Sequence, residues 1–373
     1  MKTIALFYGG KSVEHDISVI TALQTMSSFP KRYDLIPIYI KPNGEFVSAQ
    51  NLQNPENYLN FAKNAKKITK IVLNLGKNEI FLIKNNKIKK VIKIDCAVIC
   101  NHGHGGEDGS LQGLLDLCDI PYSTCSTAVS AITIDKVFTK ILLTNAHIDT
   151  PKYESFSLAQ FSNDKEKILS KIQKQIDYPC IVKPSRCGSS VGISVATDEN
   201  DVFNSINNAL LFDDKIIVEK FLQNAREFCC AVIKKDKNLF SGKVQEIKKD
   251  SFYTFEEKYL SYSQNIEMKF DSRLETKIKN LAVKTYSALD CDGVVRIDFL
   301  MDEKGKLFVN EVNSIPGSLA FNLFPGRFED LIETLITDAV DRHKKRKSIN
   351  YTFSSSAIED YIKMSKNGKL GCK

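Results

Sequence analysis

The sequence contains no tryptophan, no pair of cysteines at CxxC spacing and no Cys/His cluster spaced for zinc among its 373 residues. No apolar run approaches the ~18 residues needed to cross a bilayer as a helix. The first residues, Met1 to Tyr8, form a short apolar stretch that runs into Gly9-Gly10 with no small-residue cleavage site, so they read as a buried strand rather than a signal peptide. These absences argue against a zinc module, a membrane span and export, and the expectation is a cytoplasmic protein. The ten cysteines are then reduced thiols behaving as small hydrophobes. No basic and aromatic residues alternate as a nucleic-acid surface would require. The tight basic run His343–Lys347 reads as the positive end of a solvated helix, where cations oppose the macrodipole.

What is present is a globular composition, 43% hydrophobic and 26% charged, with a net charge of +7. The length implies two or three domains, since domains cluster at roughly 100–200 residues. The first third alternates strand and helix patterns: a strand over 2–8, a helix over 18–29, strands over 33–40 and 94–100, and short strands between 68 and 94 separated by Asn/Lys/Gly turns. That order predicts a parallel α/β sheet with its ligand crevice beyond the carboxyl ends of the strands. One helix is expected over 126–146. A helix at 164–175 and strands at 180–183, 193–196 and 216–220 follow, then strands at 228–233, 239–245, 294–301 and 307–312. Residues 348–373 read as a tail.

Several segments carry chemistry. Lys183 closes a strand and opens the Gly/Ser loop 185–192, where backbone N–H groups can approach phosphates; its spacing is not that of a P-loop. Alone, this loop also fits a surface hairpin. Strand alternation sets Arg296 and Asp298 on one face, and Glu311 and Asn313 on one face of the next strand. Paired strands would converge hard oxygen donors suited to Mg²⁺ shared with phosphates; a surface ladder of charges is the competing reading. Gly317 follows Pro316 just beyond, and its N–H with Arg296 could meet a developing oxyanion, though a simple Pro-Gly turn fits as well. Glu14-His15-Asp16 and the pair His102 and Glu107 lie on loops at the expected crevice.

In sequence order the segments are Gly9-Gly10-Lys11-Ser12-Val13-Glu14, His102-Gly-His-Gly-Gly-Glu107-Asp-Gly109, Lys183-Pro-Ser-Arg-Cys-Gly-Ser-Ser-Val-Gly192, Glu256-Glu-Lys258-Tyr259, Arg296-Ile-Asp298 and Glu311-Val-Asn313-Ser-Ile-Pro-Gly317. This set resembles the D-alanine–D-alanine ligase family of ATP-grasp enzymes over residues 1–344. The resemblance implies an α/β and α+β ATP-grasp architecture. Its parts would be an N-terminal parallel α/β domain (1–125), a small central α+β subdomain (126–221), a C-terminal α+β catalytic subdomain (222–344) and a tail (345–373).

It further implies that Lys136 and Lys183, with Ser189 and Ser190 of the loop between strands, contact nucleotide phosphates. Glu219 would lie in the adenine hinge and Glu227 would hold the ribose. Asp298, Glu311 and Asn313 would ligate two Mg²⁺ ions, or Mn²⁺. Glu14 would bind the ammonium of the first amino acid, tied to Ser189 and Tyr259, with His102 near that subsite and Lys258 a cation on a second loop. Arg296 and Gly317 would clamp the oxyanion. Ser318 and Asn322 would face the carboxylate of the second amino acid. The loops 185–192 and 252–262 would exclude water from a labile acyl-phosphate.

The implied activity is ATP-dependent formation of D-alanyl-D-alanine for peptidoglycan precursors, with ATP and D-alanine as small-molecule partners, no nucleic-acid or membrane partner, and a homodimeric assembly. One departure stands out. Asn322 occupies a position where the family has serine, which leaves D-serine or another acceptor as the alternative reading. A protein that binds nucleotide without turnover is the reading from another class, and the intact set Lys136, Lys183, Asp298, Glu311 and Asn313 argues against it.

Overall fold

The computed structural model describes residues 1–236, 238–247 and 271–366. Residues 1–340 form one compact unit and 341–373 another. Three sheets organise the first unit.

The chain opens with β1 (Lys2–Gly9), whose residues Ile4 to Tyr8 are completely buried. An apolar run buried on both faces is the signature of a central parallel strand. After α1 (His15–Ser27), β2 (Tyr33–Ile40) pairs parallel with β1 from Lys2↔Tyr33 to Gly9↔Ile40. The chain then runs outward through β3 (Phe46–Gln50), the short helices α2 (Glu56–Leu59) and α3 (Phe61–Asn64), β4 (Lys66–Asn74), β5 (Glu79–Lys84) and β6 (Lys87–Lys93), each strand antiparallel to the one before it. It returns on the far side of β1 as β7 (Cys96–Ile99), parallel to it. The order β6-β5-β4-β3-β2-β1-β7 makes the sheet mixed, so the expectation of a parallel sheet holds only for β2-β1-β7. The reason is local: Asn85-Asn86, both left-handed, link β5 to β6 in a two-residue turn that can only reverse the chain. The edge strand β6 reads KIKKVIK and is almost entirely exposed.

Next come α4 (Ser110–Leu117), α5 (Thr127–Ile134) and α6 (Lys136–Asn145). The single helix expected over 126–146 is therefore two. Asp135 leaves helical geometry (φ −86°, ψ 103°) and caps α6 by accepting from the N–H groups of Val137 and Phe138.

The second sheet has its own core and collects β8 (Tyr153–Ser157), β9 (Cys180–Pro184), β10 (Ser194–Ala196) and β11 (Lys215–Lys220) in the order β10-β9-β11-β8, all antiparallel. The helices α7 (Leu158–Gln175) and α8 (Glu199–Ala209) pack against it. The third sheet runs β13-β12-β14-β15 from β12 (Arg226–Lys235), β13 (Asn238–Ile247), β14 (Val294–Met301) and β15 (Leu307–Asn313), again antiparallel, with α9 (Ser272–Ala288) against it. A 3-10 turn at Gly317–Leu323 leads to α10 (Phe328–Lys347). In the second unit, α11 (Ala357–Lys366) lies within the stretch that reads from sequence as a tail; Ile358, Tyr361 and Ile362 recur on one face of it at helical spacing.

Candidate active site

Because β1 and β7 are parallel neighbours, their carboxyl ends release two loops side by side. The first carries Glu14 and the second carries His102 and Glu107. Glu14 caps the start of α1 and is 6% exposed. Its carboxylate is boxed in by glycines from two other loops. A Cβ on Gly103 would lie 2.8 Å from Glu14 Oε2, and one on Gly188 would lie 2.6 Å from it. Any side chain at either position would displace the carboxylate. The Ser189 hydroxyl donates to Glu14 Oε1 at 2.5 Å, so the loop after β9 is tied to the loop after β1. Ser189 and Ser190 are both left-handed (φ 52° and 60°); Ser189 is half-buried and Ser190 exposed.

Across the cleft, β14 and β15 pair Arg296 with Asn313 and Asp298 with Glu311, the convergence expected from strand alternation. Arg296 grips Asp298 through Nε and one terminal nitrogen, both at 2.8 Å, and the Asn313 amide donates to Asp298 Oδ2 at 3.1 Å. Lys136, at the start of α6, reaches across to this pair. Its Nζ lies 3.0 Å from Glu311 Oε1 and donates to the Cys187 carbonyl at 2.7 Å. Burial works against the Lys136 charge, but Glu311 overrides it and leaves the pKa raised. The capping residue Asp135 also accepts from the Ser185 hydroxyl and from Lys215, so it anchors α6 to the second sheet. One small cleft is lined by Glu14, Glu107, Lys136, Gly188, Glu311 and Asn313.

Beneath the cleft, Glu219 is almost fully buried. One of its oxygens accepts from Lys183 Nζ at 2.7 Å, and the other lies 3.2 Å from Lys140 Nζ. Burial alone would raise the Glu219 pKa; Lys140 and Lys183 together bring it below the usual range, so Glu219 is ionised. Burial lowers the pKa of Lys140. The resemblance placed Glu219 in the adenine hinge. Glu219 is the penultimate residue of β11, just before the connecting turn, and its carboxylate points inward to serve two lysines. Glu227 stands half-buried in β12 beyond the same turn.

Glu107 is half-buried, and its pKa is pushed up to about 8 by loss of hydration and by the neighbouring Glu14. It accepts from the N–H groups of Gly103 and Ile315 at 2.8 and 3.1 Å. His102 is buried and its pKa falls to about 4, because burial opposes the ring's charge. Gly317 and Ser318 follow within three residues of Ile315 and are half-buried. Ser318, Leu319 and Ala320 are left-handed in succession (φ 52°, 49°, 51°), which for residues with a Cβ costs of order 1–3 kcal/mol each. Asn322 ends up exposed on that turn, beside Phe321, whose ring stacks on Phe328 at 4.5 Å. Lys258, Tyr259 and the second proposed lid at 252–262 lie outside the described residues.

The arrangement thus sets a buried carboxylate for an ammonium group opposite a lysine and paired carboxylates suited to phosphate and divalent cations. Models described as the D-ala D-ala ligase N-terminus and C-terminus match residues 3–125 and 142–337. The chain belongs to the D-alanine–D-alanine ligase family. Among D-alanine–D-alanine ligases, that of Thermosipho melanesiensis is 40% identical over 94% of this chain and 97% of its own length. That of Geobacillus kaustophilus is 34% identical over 95% and 99%. A D-Ala:D-Ser ligase structure from Enterococcus faecalis, VanG, superposes with a TM-score of 0.77 at 30% identity, covering 90% of this chain and 98% of its own. The Coxiella burnetii D-alanine–D-alanine ligase structure shares the fold, at a TM-score of 0.78 and 23% identity.

Within this ligase family member, three residues around the cleft were not singled out as site residues from sequence. Glu107 was noticed but given no role. Lys140 follows Lys136 by one helical turn, a spacing that places both on one face of α6. Thr21 belongs to a buried polar stripe on α1, formed by Glu14, Ser18, Thr21 and Thr25 at intervals of four, three and four. That periodicity was readable, but a polar stripe at helical spacing suggests a solvated face, and here it faces inward.

Proposed function

We propose that this enzyme joins two molecules of D-alanine into D-alanyl-D-alanine with consumption of ATP, by way of a D-alanyl phosphate. The observation that carries the reading is the convergence on one cleft of Glu14 with Ser189, of Lys136 with Glu311, and of Asp298 between Arg296 and Asn313.

A carboxylate is a poor electrophile and needs activation before an amine can attack it. Glu14 holds the ammonium of the first D-alanine, which leaves its carboxylate directed toward the γ-phosphate of ATP. Lys136 and Lys183 neutralise charge on the phosphates as the phosphoryl group moves. Asp298, Glu311 and the Asn313 amide oxygen form a hard-oxygen donor set that fits Mg²⁺ or Mn²⁺. In this structure Asp298 and Glu311 each face a cation, Arg296 and Lys136, so both carboxylates stand in positive surroundings. When bound, such ions supply electrostatic stabilisation of the phosphoryl oxygens.

The loop with Gly188 and Ser189, closed on Glu14, keeps water from the acyl phosphate. The amine of the second D-alanine then attacks the carbonyl and phosphate leaves. Arg296 and the Gly317 N–H are the groups we assign to the oxyanion. Glu219 with Lys220 to Leu222 and Glu227 are assigned to the adenosine, Ser190 to phosphate, Lys258 and Tyr259 to the lid, and Ser318 and Asn322 to the second amino acid's carboxylate.

We read the three sheets as the subdomains 1–125, 126–221 and 222–344, and assign the enzyme to the cytoplasm as a homodimer. No helix among the described residues is long and apolar enough to cross a membrane. A second reading, D-serine as acceptor, is favoured by Asn322 and by the likeness to a D-Ala:D-Ser ligase.

The test is phosphate release from ATP with D-alanine, D-serine and L-alanine, with product masses measured. D-alanine alone should give D-alanyl-D-alanine, and Asp298→Asn or Glu311→Gln should abolish turnover. Absence of phosphate release with D-alanine, or unchanged rates in those variants, would overturn the assignment.

A further inference from the structure

The loop from Ile315 to Ser318 carries the groups assigned to the oxyanion and the second amino acid, yet it is held from the other side of the cleft. Glu107 accepts from the Ile315 N–H at 3.1 Å. His102 makes a backbone hydrogen bond with the same residue. Thr21, 1% exposed in the middle of α1, accepts from the Ser318 N–H at 3.1 Å and lies 3.0 Å from His102 Nε2.

The donors and acceptors count out in one way. The Ile315 N–H is given to Glu107, so the bond between Ile315 and His102 uses the Ile315 carbonyl, which can only accept. With Nε2 turned to Thr21, the imidazole proton sits on Nδ1; in the neutral ring Nε2 is bare and accepts from the Thr21 hydroxyl, whose oxygen accepts in turn from the Ser318 N–H. One hydroxyl therefore ties His102, in the tautomer that Ile315 sets, to the first residue of a left-handed turn that no glycine relieves. Thr25 donates to the Thr21 carbonyl at 2.8 Å and Ser18 donates to the Cys100 carbonyl at 2.7 Å, so the stripe on α1 is itself anchored to the second loop.

We propose that Thr21 is a positioning residue for the second amino acid: its hydroxyl, bonded between His102 and Ser318, holds the 315–320 turn in the shape that receives the acceptor. This rests on the ligase reading above. Thr21 touches no reacting atom; it acts through Ser318 and His102. Its loss would therefore weaken the acceptor subsite and leave the nucleotide subsite, built on Lys136 and Lys183, and the first-amino-acid subsite at Glu14 as they are, since His102, implied near the latter, keeps its bond to the Ile315 backbone.

The experiment compares Thr21→Val, which keeps the volume and removes the hydroxyl, with Thr21→Ser, which keeps the hydroxyl. Initial rates over D-alanine concentration resolve the KM of each subsite. Thr21→Val is expected to raise the KM for the second D-alanine about tenfold, the change one hydrogen bond of ~1.4 kcal/mol produces. The KM values for ATP and the first D-alanine should stay within twofold, and Thr21→Ser should restore the acceptor KM. If valine costs the fold, Thr21→Cys, with a weaker S–H donor, should give an intermediate acceptor KM.

A second readout needs no turnover, and so separates failure of this inference from failure of the ligase reading. ¹⁵N spectra of the imidazoles, with His102 assigned through His102→Gln, should show protonated Nδ1 and a hydrogen-bonded bare Nε2. In Thr21→Val the Nε2 resonance should move toward that of an unbonded nitrogen. An unchanged acceptor KM, an equal rise in all three KM values, failure of serine to rescue, or an Nε2 resonance indifferent to Thr21 would each overturn the proposal.

Discussion

His102 and Glu107 lie five positions apart on one loop and are pushed in opposite directions. Burial lowers the His102 pKa from 6.5 to about 4, so the unfolded chain takes up a proton there before the folded protein does. Stability should therefore fall as pH drops from 6.5 toward 4, by roughly 3 kcal/mol for a buried group moved this far. Burial and Glu14 raise Glu107 to about 8, so the folded protein keeps a proton that the unfolded chain gives up near 4.5. That contribution is complete below 4.5 and is lost as pH rises to 8. Urea unfolding across pH checks both signs. His102→Gln should flatten the acid limb, and Glu107→Gln the alkaline limb. Neither shift was legible in the sequence, where His102 and Glu107 are simply polar residues of a glycine-rich loop. What was legible was their position at the carboxyl end of an apolar strand. Lys136 and Glu311 illustrate the same division: each was picked out by its segment, but their contact, between α6 and β15, depends on long-range packing.

Among the elements, the best-read pair was β14 and β15. Alternation with a period of two sets which side chains share a face, and Arg296, Asp298, Glu311 and Asn313 met as expected; a bulge at Asn310, not legible in the sequence, shifts the register by one residue and brings Asp298 opposite Glu311. Helix α6 was read poorly, because a continuous apolar pattern over 126–146 conceals the break at Asp135. That break matters to the site, since it lets α6 begin at Lys136 and aim that lysine at the cleft. Asp135→Ala removes a cap and leaves Lys215 without its partner. We expect a loss of about 2–3 kcal/mol in thermal or urea unfolding, together with a higher KM for ATP. One turn further on, Lys140→Met would leave Glu219 with Lys183 alone. Removing one member of a buried ion pair costs about 3–5 kcal/mol, and calorimetry of the variant should show a correspondingly lower Tm. The antiparallel half of the first sheet was half-legible. Its turns were visible as Asn, Lys and Gly clusters, but the direction of pairing follows from how short those turns are.

For the whole molecule, the cleft exists only where loops from all three sheets meet, and Glu14 is the point of closest approach. Gly188→Ala should therefore reduce turnover at least tenfold, because the new methyl would sit 2.6 Å from the Glu14 carboxylate. The unfolding midpoint should change little, since the substitution lies on a half-buried loop outside the three cores. Steady-state rates beside a thermal melt distinguish the two effects. The outer rim of the first sheet has a separate consequence for assembly. Strand β6 exposes Lys87, Lys89, Lys90 and Lys93 along an otherwise unpaired margin. Two copies zipped together along it would crowd four ammonium groups from each against one another, a penalty that like charges impose on strand addition. That rim repels its own kind, so a symmetric pair of these molecules has to be built on some other face.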